Sequence, residues 1–125
     1  MTTEIPPQVQ HQLAQLQQVQ QQAQALSSQK AQVTSALNET EMALEELSKL
    51  EDDAVIYKNV GQLLIKGEHD SVATELAEKK DVMELRVRTL EKQEERIQKR
   101  FQQLQEQLRS AIGGGAGGGA GGGMA

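Results

Sequence analysis

The sequence contains no cysteine and no tryptophan, and only Tyr57 and Phe101 among its 125 residues are aromatic. Without cysteine the chain forms neither disulfides nor thiolate metal sites, and a reducing cytoplasm is permitted. So few aromatic side chains cannot fill a thick core, whereas charged residues make up 25% of the chain. This composition favours long helices that share a narrow apolar seam over a compact globular domain.

Targeting and membrane signals are also missing. The N-terminal stretch MTTEIPPQ has neither a basic segment nor an apolar run, so no secretory signal peptide is expected. No apolar stretch is long enough to cross a membrane. The net charge of −5 argues against nucleic acid as a partner. We therefore expect a cytoplasmic protein that binds neither nucleic acid nor membrane.

No motif supports catalysis or cofactor binding. His11 and His69 lie far apart at opposite ends of the predicted helices, and both are expected to be solvated. Neighbouring carboxylates such as Glu45 and Glu46 do not face each other on a helix. Gly61 lacks the further glycines and the lysine of a phosphate-binding loop. We expect no enzyme, no metal site and no cofactor.

Two long segments are rich in helix-forming residues and contain no helix breaker. The first segment covers residues 8–51. The second begins after Gly67, where Asp70 or Ser71 can cap it, and ends near Ile112. Helices of this length in a small protein need a partner along their full extent.

The two ends of the chain, the N-terminus at residues 1–7 and the tail at residues 113–125, are expected to be disordered and flexible. Residues 1–7 precede the first helix and include two prolines, which suit its first turn. Residues 113–125 are almost entirely glycine and alanine. Because glycine loses the most conformational freedom on folding, we expect this tail to be flexible.

Apolar residues recur along both segments in steps of three and four, which is the period of a coiled coil. If the segments pair antiparallel, the numbers of facing residues should add to a constant. Leu47 with Leu76 and Leu26 with Ile97 both give 123, which places the chain reversal between residues 61 and 62. The predicted seam positions are Leu16, Val19, Ala23, Leu26, Lys30, Val33, Leu37, Thr40, Leu44, Leu47, Leu76, Lys79, Met83, Val87, Leu90, Glu94, Ile97, Phe101, Leu104 and Leu108.

The same register pairs two sets of complementary side chains. Ala23 stands opposite Phe101, a small residue against a large one, as a packed seam requires. Lys30 stands opposite Glu94, and these residues of opposite charge are polar exceptions on their own sides of the seam. We predict that Lys30 and Glu94 form an ion pair that fixes the register.

The stretch AVIYKNVGQLLIK, residues 54–66, interrupts the helical pattern with β-branched and apolar residues around Asn59 and Gly61. Asparagine and glycine both tolerate the backbone angles of tight turns. We expect a β-hairpin with strands near 54–58 and 62–66. The alternative is a helical hairpin with an irregular loop.

Apolar residues are consecutive in this hairpin, so both of its faces are apolar, because neighbouring side chains in a strand point opposite ways. Two helix ends cannot cover two faces, and an isolated two-stranded hairpin is marginal in water. We therefore expect a mainly α fold, a long antiparallel two-helix coiled coil whose central β-hairpin assembles into an intersubunit β-barrel. The assembly hairpin comprises Val55, Ile56, Tyr57, Val60, Gly61, Leu63, Leu64 and Ile65.

Four stretches resemble the prefoldin family, and specifically its β-type subunits. YKNVGQLLIK (57–66) resembles the hairpin signature, and ALEEL (43–47) resembles the stretch that leads into it. VQHQLAQLQQVQQQAQAL (9–26) and EKQEERIQKRFQQLQEQL (91–108) resemble the coiled-coil tips. The resemblance is specific in the hairpin and generic elsewhere. It implies an archaeal-like hexamer of two α-type and four β-type subunits, in which the hairpins form a double β-barrel platform.

The resemblance implies an ATP-independent chaperone, or holdase, that captures unfolded polypeptides at the coiled-coil tips and delivers them to a group II chaperonin. Val9 would face only glycines, and the apolar spacing drifts near it, so we expect apolar tip side chains without full partners. Ordinary seam packing with frayed ends is the alternative for these residues. The predicted capture residues are Val9, Leu13, Leu16, Val19, Phe101, Leu104, Leu108 and Ile112.

Two further alternatives stay open at this point. The protein could be a structural coiled-coil scaffold that oligomerises through its hairpin and binds one specific partner. The glycine-rich tail departs from the prefoldin pattern. It resembles the Gly- and Met-rich tails of chaperonins, and a cloning remnant would explain it equally well.

Overall fold

The computed structural model describes the backbone of residues 5–116 and the side chains of residues 5–113. The order of elements is helix, strand, strand, helix, with the bounds α1 Pro7–Ser48, β1 Ile56–Val60, β2 Leu63–Gly67 and α2 His69–Ala116. The predicted fold class, two long helices joined by a β-hairpin, is confirmed. None of the helices in residues 5–116 is long and apolar enough for a membrane crossing.

Helix α1 ends at Ser48, three residues before the expected end at Glu51. The Ser48 hydroxyl donates a 2.6 Å hydrogen bond to the carbonyl of Glu45, and the Lys49 amide donates to the carbonyl of Glu46 at 3.2 Å. These short-range bonds tighten the last turn and compete with continuation of the helix.

Helix α2 begins at His69 and continues to Ala116, four residues beyond the expected end at Ile112. The helix therefore extends into the first glycines of the predicted tail. Residues 117–125 and 1–4 lie outside the described residues, so the predicted flexibility of the tail and of the N-terminus stays a prediction.

The hairpin is antiparallel, and its reversal lies where the helical seam predicted it. Val60 pairs with Leu63, which leaves Gly61 and Gln62 as a two-residue turn. Gly61 has a φ of 60°, a left-handed conformation that glycine adopts without steric cost. Strand β1 starts two residues later than expected, and β2 starts one residue later. The alternative of a helical hairpin with an irregular loop is excluded.

The two ends of the hairpin connect to the helices in different ways. Strand β2 passes into α2 through one residue, Glu68, whose carbonyl accepts a 2.9 Å hydrogen bond from the Val72 amide. A Cβ at Gly67 would lie 2.7 Å from Cγ2 of Val72, so glycine permits the close approach of strand and helix. Residues 49–55 link α1 to β1.

The chain divides into two compact units. The second unit is Gln29–Leu90, and it contains the hairpin and the adjoining parts of both helices. Within it the Thr40 hydroxyl donates to the carbonyl of Ala36 at 2.9 Å and lies 4.0 Å from the sulfur of Met83. Thr40 and Met83 face each other in the predicted register, so the antiparallel pairing is confirmed in this unit.

One predicted seam position in the second unit is wrong. Lys79 is exposed, whereas Lys80 is half-buried and its Nζ lies 3.7 Å from Oε2 of Glu41. The step from Leu76 to Lys80 is four and the step from Lys80 to Met83 is three, so the seam keeps its alternation through Lys80. A seam position at residue 79 would not fit this alternation better. The aliphatic stem of Lys80 covers the seam while its ammonium reaches a carboxylate.

The first unit combines the chain up to Ser28 with the chain from Glu91 onward. Ala23, Ile97 and Phe101 line one cavity of about 410 Å³ in this unit, so the predicted juxtaposition of Ala23 and Phe101 is confirmed. Lys30 belongs to the second unit and Glu94 to the first, and both are half-buried. The proposed ion pair between them stays a prediction.

Candidate functional site

The assembly hairpin leaves nearly all its apolar side chains uncovered. Leu64 is 70% exposed, and of the large apolar residues in the hairpin only Ile56 is half-buried. The exposed members are Val55, Tyr57, Val60, Leu63, Leu64 and Ile65. Clustered exposed apolar surface marks an interaction site, because isolated soluble proteins bury such patches.

Both faces of the hairpin carry this exposed surface. Val60 pairs with Leu63 on one face, and Ile65 lies on the same face opposite Lys58. Leu64 pairs with Asn59 on the other face. A single copy of the chain therefore leaves both faces uncovered, as the sequence predicted.

A groove of about 700 Å³ runs beside strand β1 in the second unit. Its apolar lining comes from the end of α1, the residues just beyond it, β1 and the start of α2, and includes Leu47, Leu50, Ile56, Val60, Val72 and Leu76. Over residues 5–116, β1 and β2 pair only with each other, so each strand has one open backbone edge. An open edge beside an apolar groove suits the addition of a strand from another chain.

One ion pair connects the hairpin to α2. Nζ of Lys58 lies 3.2 Å from Oε1 of Glu75, and both side chains are more than one-third exposed. Exposed pairs of this kind contribute about 0–1 kcal/mol to stability. The ion pair therefore orients β1 over α2 more than it stabilises the fold.

His69 joins the base of the hairpin to both helices, so the expectation that it is solvated was wrong. Its side chain is 11% exposed, Nε2 lies 2.7 Å from the carbonyl oxygen of Leu47, and Nδ1 lies 2.9 Å from Oδ1 of Asp70. Both partners are acceptors, and only the imidazolium can donate from both nitrogens. The Asp70 carboxylate and the Leu47 carbonyl accordingly raise the pKa of His69 above its usual value.

The same histidine belongs to the group of residues best placed to hold a metal ion in the described part of the chain. The ligand atoms of Asp52, His69 and Asp70 lie within 4.8 Å of one another. Asp52 and Asp70 are exposed, and a proton on Nδ1 of His69 explains its contact with the Asp70 carboxylate. We therefore infer that the carboxylates of this cluster stabilise the protonated form of His69.

The predicted capture residues are brought together in the first unit but are less exposed than expected. Val9 is 8% exposed and Leu104 1%, and Val19 is also buried. Leu13 and Ile112 are exposed, and Leu16, Phe101 and Leu108 are half-buried. The expectation that Val9 lacks partners was wrong, because its side chain is buried in the first unit.

Sequence reasoning missed Gln12, a buried seam residue next to the predicted capture residue Leu13. The buried positions Val9 and Gln12 continue from Leu16 in steps of four and three, so the seam keeps its period to the tip. Gln12 is 9% exposed, whereas Leu13 is 39% exposed. The three-four alternation could have revealed this position, but only apolar residues were considered at the tip.

Two long helices joined by a hairpin with two uncovered apolar faces define a subunit of a larger coiled-coil assembly. The model of the family described as prefoldin subunit matches residues 10–115. The chain is 56% identical over 98 residues to the prefoldin subunit beta of Methanothrix thermoacetophila, a match that covers 78% of this chain and 82% of that protein. It is 58% identical over 97 residues to that of Methanococcoides burtonii, covering 78% of this chain and 83% of that protein.

A solved structure supports the same assignment. The crystal structure of the prefoldin beta subunit from Thermococcus strain KS-1 matches with a TM-score of 0.79 and 43% identity, covering 88% of this chain and 96% of that chain. The chain belongs to the prefoldin family, and its relatives are of the β type. It is a molecular chaperone subunit that works in a hetero-oligomer with other prefoldin subunits, and the family is known as one of chaperones.

Proposed function

We propose that this subunit assembles through its hairpin into a hexamer of two α-type and four β-type subunits, with the hairpins joined in a shared β-barrel. The observation that carries this proposal is the exposure of apolar side chains on both hairpin faces beside two open strand edges. Backbone pairing across the edges and burial of the faces both require strands from other chains.

We further propose that the complex holds unfolded polypeptides at the helix tips and delivers them to a group II chaperonin in the cytoplasm, without using ATP. Leu13 and Ile112 give the tip an exposed apolar surface, and exposed glutamines surround it. Surface of this kind suits weak and sequence-tolerant binding. The buried tip residues Val9, Val19 and Leu104 complete the proposed capture surface when the tip opens.

The test is suppression of aggregation by the assembled complex, measured by light scattering with several unrelated denatured proteins and no nucleotide. We expect broad suppression by the parent complex. The double variant Leu13→Ser/Ile112→Ser should lose most of it while the particle mass stays unchanged. Val82→Ser is the control, because Val82 is also apolar and is 65% exposed but lies in the second unit.

The outcomes separate the proposed function from its alternative. Indifference of the parent complex to every denatured protein would favour a scaffold with one specific partner. Full activity of the double variant would move the capture surface away from the tip. Transfer is tested by adding a group II chaperonin to the loaded complex and following release of a labelled client without ATP.

A further inference from the structure

The tip of the coiled coil, as it stands in the first unit, hides the surface that capture requires. Val9 and Leu104 are almost fully buried, and only Leu13 and Ile112 of the predicted capture residues are exposed. If the tip is the capture site, as proposed above, its buried members become available only when the two helix ends separate. The question is then which residue lowers the stability of the closed tip.

Gln12 is the polar residue buried within this apolar tip. It is 9% exposed, and its carboxamide Oε1 is shielded from solvent and has no hydrogen-bond partner among residues 5–116. It lies one turn from both Val9 and Leu16 on the buried face of α1. By the register of the seam it stands opposite Ala111, a small half-buried residue that leaves room for the longer side chain.

An unpaired buried carbonyl oxygen destabilises the state in which it is buried. Because this oxygen loses its hydrogen bonds to water in the closed tip, the equilibrium between closed and open tip shifts toward the open state by about five- to 150-fold. Opening returns Oε1 to a medium in which it can accept hydrogen bonds. The closed tip therefore contains a destabilising group at the point where opening exposes Val9 and Leu104.

We propose that Gln12 is a specificity-determining residue of the tip: in the open state its carboxamide oxygen accepts a hydrogen bond from an unpaired backbone N–H of the client, beside the apolar contacts of Val9 and Leu104. More than nine-tenths of buried backbone N–H groups in folded proteins are already paired, whereas an unfolded chain has many available donors. An acceptor within an apolar surface thus selects for unfolded backbone, independently of side-chain sequence.

The first test uses the parent complex and two fluorescent peptides of identical apolar side chains. One peptide has normal backbone amides, and the other is N-methylated and cannot donate hydrogen bonds. Fluorescence anisotropy should show about two- to tenfold tighter binding of the unmethylated peptide, the effect of one hydrogen bond. Equal binding of both peptides would overturn the inference and leave the proposed function standing. Binding of neither peptide would count against capture itself, and with it against the inference.

The second test replaces the acceptor. Methionine matches the unbranched shape of glutamine and packs readily in apolar seams, so Gln12→Met should keep the particle mass. We expect slower hydrogen exchange of the tip amides by about five- to 150-fold, weaker peptide binding and no preference between the two peptides. Gln21→Met is the matched control, because Gln21 is an exposed glutamine of α1 in the same unit.

Two results of the second test would overturn the inference. One is a Gln12→Met complex that keeps the preference for the unmethylated peptide. The other is a changed helix register in a complex of unchanged particle mass, which would make Gln12 a residue that fixes pairing. Because the peptide comparison in the parent complex needs no variant, the inference can be tested even if Gln12→Met fails to assemble.

Discussion

Leu64 offers a quantitative test of the assembly hairpin. Replacement by alanine removes three carbon atoms, each worth about 0.8 kcal/mol when transferred from water to a buried site. Leu64 is 70% exposed in the single chain, so full burial on assembly involves about 1.7 kcal/mol that alanine does not supply. This free energy corresponds to about a 17-fold increase in the dissociation constant for each hairpin.

The assay is a dilution series of the complex, formed with its α-type partner, followed by native mass spectrometry. Leu64→Ala should dissociate at a correspondingly higher concentration, while the helix content of the chain stays unchanged. Met42→Ala is the matched control, because Met42 is 66% exposed on α1 and lies outside the hairpin. If Leu64→Ala and the parent chain dissociate at the same concentration, Leu64 is not buried on assembly and the reasoning is wrong.

Two predictions concern the hairpin's turn and base. Gly61→Ala should destabilise the fold by about 1–2 kcal/mol, because alanine resists the left-handed backbone conformation. Gly113→Ala, in a helix, is the control and should stabilise the fold by about 0.5–1 kcal/mol. If urea unfolding finds Gly61→Ala as stable as the parent, the left-handed turn at Gly61 is wrong. Because the pKa of His69 is raised in the folded state, protonated His69 adds to the free energy of unfolding. This contribution is complete below the pKa of about 6.5 that histidine has in the unfolded chain, and it is lost as pH rises through the pKa of the folded state. The difference in urea midpoint between the parent and His69→Gln should therefore shrink as pH rises. A difference that stays constant with pH would show that the imidazolium of His69 does not stabilise the fold.

The helical pairing was predictable because its signal is repeated along the whole chain. The register that set Leu26 against Ile97 also located the reversal between Gly61 and Gln62, where the structure has its turn. Single positions were less secure. Lys79 was assigned to the seam, whereas Lys80 occupies it, and the buried seam residue Gln12 was not predicted. The expected drift of the spacing at the tip was also wrong, because the steps of four and three continue through Gln12 to Val9.

The contacts of individual polar side chains could not be predicted from the sequence. His69 lies beside the carbonyl of Leu47 only because the reversal of the chain brings the end of α1 to the start of α2. The continuation of α2 into the glycines as far as Ala116 is likewise not favoured by helix propensity alone. These features depend on tertiary packing, which overrides local preference at helix ends.

The unequal connections of the hairpin have a mechanical consequence. Glu68 alone separates β2 from α2, and α2 is a continuous helix of 48 residues. Tension applied along that helix is transmitted to β2 through a single linker residue. The linker between α1 and β1, residues 49–55, can extend before it transmits force. A load on α2 is thus conveyed directly to one strand, which makes β2 the strand through which strain enters the hairpin.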